Sequence, residues 1–117
     1  MSSDLPLIEP SDSTAFPKVV RVDDEIADLI PGYLQRRRKD CETFHQLLKE
    51  GDFSAIRALG HNLKGSGSGY GFQPISIIGR AIEEAALSQN SSSLRVEIAA
   101  LEDYLDQVRY EWSGGSA

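Results

Sequence analysis

The sequence predicts an all-α protein, an antiparallel four-helix bundle with a short additional helix at its N-terminal end. Three observations carry this prediction. Apolar residues recur at three- and four-residue spacings in four successive stretches. Short breaks bearing glycine, proline, asparagine and serine separate these stretches, as expected between antiparallel neighbours. No β-hairpin signature stands anywhere along the chain. The 117 residues suffice for one domain with a single core.

Residues 1–22 carry three of the five prolines together with Ser, Thr and Asp, and read as a flexible N-terminal arm. Within it, Lys18-Val19-Val20-Arg21-Val22 suits an extended conformation but has no second strand to pair with in the sequence. The bundle is expected over residues 23–112, with residues 113–117 as a frayed tail. Asp23, Asp24 and Glu25 suit the positive end of a helix dipole and open the short first helix. Pro31 then marks the start of a longer one, in which Ile30, Leu34, Cys41, Phe44 and Leu48 share a face.

Gly51-Asp52 ends that helix and opens the next, whose apolar side holds Phe53, Ile56, Leu59 and Leu63. Gly65, Gly67, Gly69 and Gly71 follow. Each costs about 0.8–1 kcal/mol relative to alanine in a helix, so propensity ends the helix near Ser66 unless close packing compels it to continue. Tyr70 and Phe72 are expected to anchor the turn, and Pro74 to open a helix with Ile75, Ile78, Ala81, Ile82 and Ala85 inward and Gly79 at a close helix approach. That helix ends around Ser88-Gln89-Asn90. Ser91, Ser92 and Ser93 are cap candidates for a last helix whose seam runs Leu94, Ile98, Leu101, Leu105, Val108 and Trp112.

Charge and composition exclude several classes of function. A net charge of −6 and a pI near 4.8 argue against a nucleic-acid binder, which needs a basic surface for phosphate contacts. No run of eighteen apolar residues and no signal-peptide pattern is present, so a cytoplasmic protein without membrane contact is expected. The single Cys41 has no disulfide partner and no companion for a zinc site, and reads as a small buried hydrophobe.

The chemistry concentrates in Leu59–Phe72, L-G-H-N-L-K-G-S-G-S-G-Y-G-F. At about 100° per residue, His61 points roughly 160° away from the centre of the apolar stripe, toward solvent or a partner. Arg57, Lys64, Gly65 and Ser68 lie within about 60° of it on the same wheel. An exposed ring, a neighbouring cation and no bulky side chain one turn on suit an imidazole that carries a phosphoryl group.

Rival readings of the same residues fail on pattern. The G-x-G-x-x-G fingerprint breaks at Tyr70 or Phe72, and Lys64 precedes the glycines where a phosphate loop needs it after them. His45 and His61 fall on different helices, which disfavours a metal site and makes His45 a half-exposed surface residue. The run Arg36-Arg37-Arg38-Lys39 covers most of a helix circumference. It reads either as a solvated surface or as a positive rim for an acidic partner.

The residues H-N-L-K-G-S-G-S-G-Y-G-F resemble the signature H-x-L-K-G-S of histidine-containing phosphotransfer (HPt) domains of bacterial two-component phosphorelays. The likeness extends over roughly residues 23–110, through D-D-E-I-A-D-L-I-P-G-Y-L, Gly51-Asp52-Phe53 and the helix after Pro74. The resemblance implies that His61 is the phosphoacceptor at Nε2, that Lys64 contacts the phosphoryl oxygens and that Gly65 leaves the ring accessible. Glu83 falls about where many members place a polar residue near the histidine, and Arg57 and Ser68 remain accessory candidates from the wheel. The implied role is a phosphoryl carrier, not an enzyme. It accepts from a receiver-domain aspartate or a sensor kinase, such as a hybrid histidine kinase, and passes the group to another receiver. It has no cofactor of its own, the receiver bringing Mg²⁺, and a monomer is expected. The alternative is a non-catalytic helical adaptor, in which the glycines merely admit a partner helix.

Overall fold

The computed structural model describes residues 16–113 and the backbone of Gly115 and Ser116. The part of the expected arm over residues 1–15 lies outside the described residues. Four α-helices form the body: α1 (Ile30–Glu50), α2 (Phe53–Gly69), α3 (Gln73–Leu87) and α4 (Ser91–Gln107), preceded by a 3₁₀ helix over Asp24–Leu29. The predicted bundle and short first helix are both present.

Local chemistry sets most of the helix ends. Gly51, at φ +70°, takes the left-handed conformation that closes α1, and Asp52 caps α2 by accepting from the Ala55 N–H at 3.1 Å. Pro74 occupies the first turn of α3, where its missing N–H costs nothing. At α4 the cap is Asn90, whose Oδ1 accepts from the Ser93 N–H at 3.0 Å. The serine run expected to supply that cap lies just inside the helix instead. Asp24 likewise spends its carboxylate away from its own helix, accepting from the Ser113 N–H at 2.7 Å.

The chain's two ends depart from the prediction. Val19–Arg21 is a strand, β1, and it pairs in parallel with β2 (Arg109–Trp112), Val20 lying opposite Tyr110. A two-residue strand β3 (Gly115–Ser116) adds antiparallel to β2. The expectation that the valine run lacks a partner is therefore corrected, and so is the extension of the α4 seam to Trp112. The helix stops at Gln107, and Val108 turns extended at ψ 141°. Val108 and Trp112 fit the helical spacing of four residues, but with Tyr110 between them they fit a two-residue alternation equally well. Val20 and Val22 are buried beneath this sheet, and Tyr110 and Trp112 pack against the core and stack with ring centroids 5.6 Å apart.

The core is one cluster drawn from all four helices, with Ile30, Phe44, Ile56, Phe72, Ile75, Ile82, Leu94, Ile98 and Leu101 fully buried. Tyr33, not on the expected α1 seam, is also buried; it stacks on Tyr70 at 4.1 Å and its hydroxyl lies 3.0 Å from the Ser66 Oγ. Two of the four residues in the basic run Arg36–Lys39 are structural. Arg37 lies over the Tyr33 ring and bonds Asp40 at 2.7 Å, and Arg38 donates to the Leu105 carbonyl near the end of α4. Arg36 and Lys39 are exposed.

Two buried acids make an alkaline prediction. Burial pushes the Cys41 thiol up to about 12 from 9.0, with Glu102 adding to the effect, and the Tyr104 hydroxyl, which has no hydrogen-bond partner among the described residues, up to about 12 from 10.0. A raised folded-state pKa stabilises fully below the unfolded value and is lost as pH rises through the folded one. Unfolding free energy should thus be insensitive to these groups through neutrality and fall as pH climbs from about 9 toward 12. Denaturant titrations across that range test it, and a native Cys41 that reacts with thiol reagents as fast as an unfolded peptide would contradict the burial argument.

Candidate functional site

Helix α2 presents His61 outward, its side chain 63% exposed, while Ile56 and Leu63 point into the core. What completes the site comes from α3. The two helices run antiparallel at unusually close range because small residues face each other across the contact. A Cβ on Gly60 would meet the Glu83 N and Ile82 Cγ2 at 3.0 Å; one on Gly79 would meet the Lys64 N at 2.6 Å. The proximity of the two backbones brings the Glu83 carboxylate level with the outward face of α2.

Glu83 bridges both predicted residues. Its Oε2 lies 3.0 Å from the His61 Nδ1 and its Oε1 2.9 Å from the Lys64 Nζ. With its side chain only 18% exposed, the carboxylate forms the floor of a site whose histidine and lysine are open. Lys64, chiefly by its hydrogen bond, lowers the Glu83 pKa below the ordinary 4.5; desolvation opposes this and the His61 bond adds to it. A depressed folded-state pKa means the clasp is intact above the ordinary glutamate value and opens only as pH falls through the lower one. A carbon-detected titration should find Glu83 ionising below 4.5, and Lys64→Ala should move it up. Titration of wild-type Glu83 at or above the ordinary value would refute the clasp.

The glycines after Lys64 divide by role. Gly65 is exposed and a Cβ there would meet nothing within 4 Å, so no packing in the free protein demands glycine. Gly67 is buried against α3, where a Cβ would lie 2.5 Å from the Ser76 N and 2.9 Å from the Phe72 carbonyl oxygen. Gly69 faces open space, and Gly71 takes φ +93° in the turn. Close packing thus carries α2 three residues past Ser66, to Gly69.

Ser76 escaped the sequence reading. Its buried hydroxyl donates to the Lys64 carbonyl at 2.7 Å and accepts from the Ser68 N–H at 2.7 Å, the two backbone groups that an α-helix joins to each other. It pins to α3 the turn of α2 that carries Lys64. A signal for it exists: Ser76, Gly79 and Glu83 form a small-and-polar stripe with spacings of three and four, matching Gly60, Lys64 and Gly67 on α2.

Of the accessory candidates, Ser68 sits on the His61 side of α2 but two turns away, and its Oγ lies 2.8 Å from the Gln73 Oε1 and 3.0 Å from the Ser76 Oγ. The structure does not bring it to the histidine. Arg57, one turn before His61, lines an open groove of about 380 Å³ with Lys64, Arg80, Glu83, Glu84 and Leu87. His45, 56% exposed, bonds Glu102 of α4 at 2.8 Å, apart from this site. Among the described residues, no group of three or more His, Cys, Asp or Glu side chains converges as a metal site would require.

The model of the Hpt domain family matches residues 28–111, well over half of the chain. This chain belongs to the Hpt domain family. Neither the curated proteins nor the solved structures supply a significant match. The matched segment of the Hpt domain spans all of α1–α4 and most of β2, and it begins after β1. Membership places the chain in phosphotransfer of two-component signalling, in a family of phosphocarriers that work with receiver domains or kinases. No described helix is long and apolar enough to cross a membrane.

Proposed function

We propose that His61 is the phosphoacceptor of this Hpt domain and that it relays a phosphoryl group between receiver-domain aspartates. The observation that carries the reading is the Nδ1–Glu83 contact on an otherwise exposed ring. A proton held on Nδ1 by a carboxylate leaves the lone pair on Nε2, the nitrogen that faces outward.

In the transfer, the Nε2 lone pair attacks the phosphorus of an aspartyl phosphate in line, the N–P bond forms and the bond to the aspartate oxygen breaks, returning a carboxylate to the receiver. The ring then carries both the phosphoryl group and the Nδ1 proton, and so gains positive charge, which the adjacent Glu83 carboxylate stabilises. Lys64 turns from Glu83 to balance the charge on the phosphoryl oxygens. Gly65, with no side chain one turn on, leaves the approach open. Donation to a second receiver is the same step reversed. Mg²⁺ and the acidic pocket around the aspartate belong to the receiver, or a sensor kinase supplies the group in the first step. A monomeric, cytoplasmic carrier in a bacterial relay is consistent with the net charge of −6 and with the absence of a membrane-spanning helix among the described residues.

Incubation with a phosphorylated receiver should place an acid-labile, base-stable label on the protein. His61→Gln should abolish that label without lowering thermal stability, since the ring is exposed. Label that persists in the His61→Gln protein would exclude the assignment.

A further inference from the structure

We infer that Arg57 is a selectivity-determining contact for the receiver partner, engaging an acidic side chain beside the receiver's phosphoacceptor pocket; this rests on the reading of His61 as the phosphoacceptor. The first ground is position. Arg57 precedes His61 by four residues, about 6 Å along the same face of α2. The groove that Arg57 lines shares Lys64 and Glu83 with the histidine site, so a partner whose reacting atom reaches Nε2 comes up against it.

The second ground is pairing. The other charges of that groove are engaged within it: Lys64 with Glu83 at 2.9 Å and Arg80 with Glu84 at 3.2 Å. Arg57 alone among the groove's cations has no hydrogen bond or ion pair among the described residues. Its guanidinium is therefore not engaged in a short-range pair and is available to a partner.

The third ground is the field of the molecule. At −6 overall, the chain repels an acidic partner at long range, and a receiver with its carboxylate pocket is acidic where it docks. An unneutralised guanidinium at the docking groove gives such a partner a local attraction and a fixed orientation, and reversal of its sign replaces that attraction by repulsion. An exposed pair contributes little to the stability of a complex, so the effect is expected mainly in association and in the ranking of receivers.

The test compares wild type, Arg57→Gln and Arg57→Glu in two assays. In the first, several phosphorylated receivers serve as donors at low and high salt. In the second, phosphoramidate labels His61 directly, without a docking surface. The expected result is a loss in kcat/KM for receivers of about threefold for Arg57→Gln and about tenfold for Arg57→Glu at low salt, shrinking at 1 M salt, with a changed order of preferred receivers. Equal kcat/KM in all three proteins, a salt-independent loss, or an equal fractional loss with phosphoramidate would overturn the assignment. Failure of wild type to take label from either donor would instead bring down the phosphoacceptor reading on which it stands.

Discussion

Alanine at Gly67 is expected to destabilise the protein by about 3 kcal/mol, shifting its thermal midpoint down by on the order of 10 °C or more. The added Cβ would stand 2.5 Å from the Ser76 N and 2.7 Å from its Oγ, so either α3 moves away or the Ser76 hydroxyl leaves the bridge between Lys64 and Ser68. Neither obstacle is the free end of a flexible side chain. Helix propensity pulls the other way by about 1 kcal/mol, so the measured loss is the clash less that gain. Gly69→Ala and Gly65→Ala are the controls. Both positions face open space within the same helix, and each should leave stability unchanged or raise it by up to about 1 kcal/mol. Urea unfolding of the three variants measures the contrast, and a Gly67→Ala protein as stable as wild type would show that α2 and α3 do not depend on that approach. Gly65→Ala has a second reading: more stable yet slower in phosphotransfer would identify a glycine kept for access to the ring.

Loss of the Glu83 carboxylate is expected to slow phosphoryl transfer to His61 by about 10- to 100-fold. A hydrogen bond to a charged group is worth about 1.5–3 kcal/mol, and each 1.36 kcal/mol of barrier is tenfold in rate. Glu83→Ala removes both the acceptor that holds the Nδ1 proton and the charge facing the phosphorylated ring. Glu83→Gln separates the two, since the amide oxygen can still accept from Nδ1–H but cannot balance charge or hold Lys64. The glutamine variant should therefore keep the Nδ1–H tautomer in nitrogen NMR spectra and lose less rate than the alanine variant, which should populate both tautomers. Equal rates for all three proteins would mean that Glu83 anchors Lys64 and nothing more.

Both predictions concern the contact between α2 and α3, and that contact is where sequence reasoning was least able to see. The stripe Ile56, Leu59, Leu63 turns His61 outward, and the three-residue step to Lys64 places a cation beside it, because one helix has a known period. The relative register of two helices has no such rule. It depends on which small residues let the backbones meet, and Gly60, Gly67, Gly79 and Ser76 settle it only once they face each other. Family likeness points to Glu83 but not to its bond with Nδ1, and the bridge made by Ser76 exists only across the two facing helices.

The sheet at the chain ends has the same cause on a longer scale. Val19 and Arg109 pair although ninety residues separate them, and a parallel pair has no hairpin turn to announce it. By itself the sequence determined the four helices, most of their ends, the outward histidine and the adjoining lysine, since local propensity, capping and periodicity act within a few residues. Only the tertiary structure decided that α2 runs on to Gly69, that the N-terminal valines pair with the strand following α4, and that a carboxylate from α3 holds His61 by Nδ1. Those three are contacts between distant segments, whose energies exist only after the chain has brought them together.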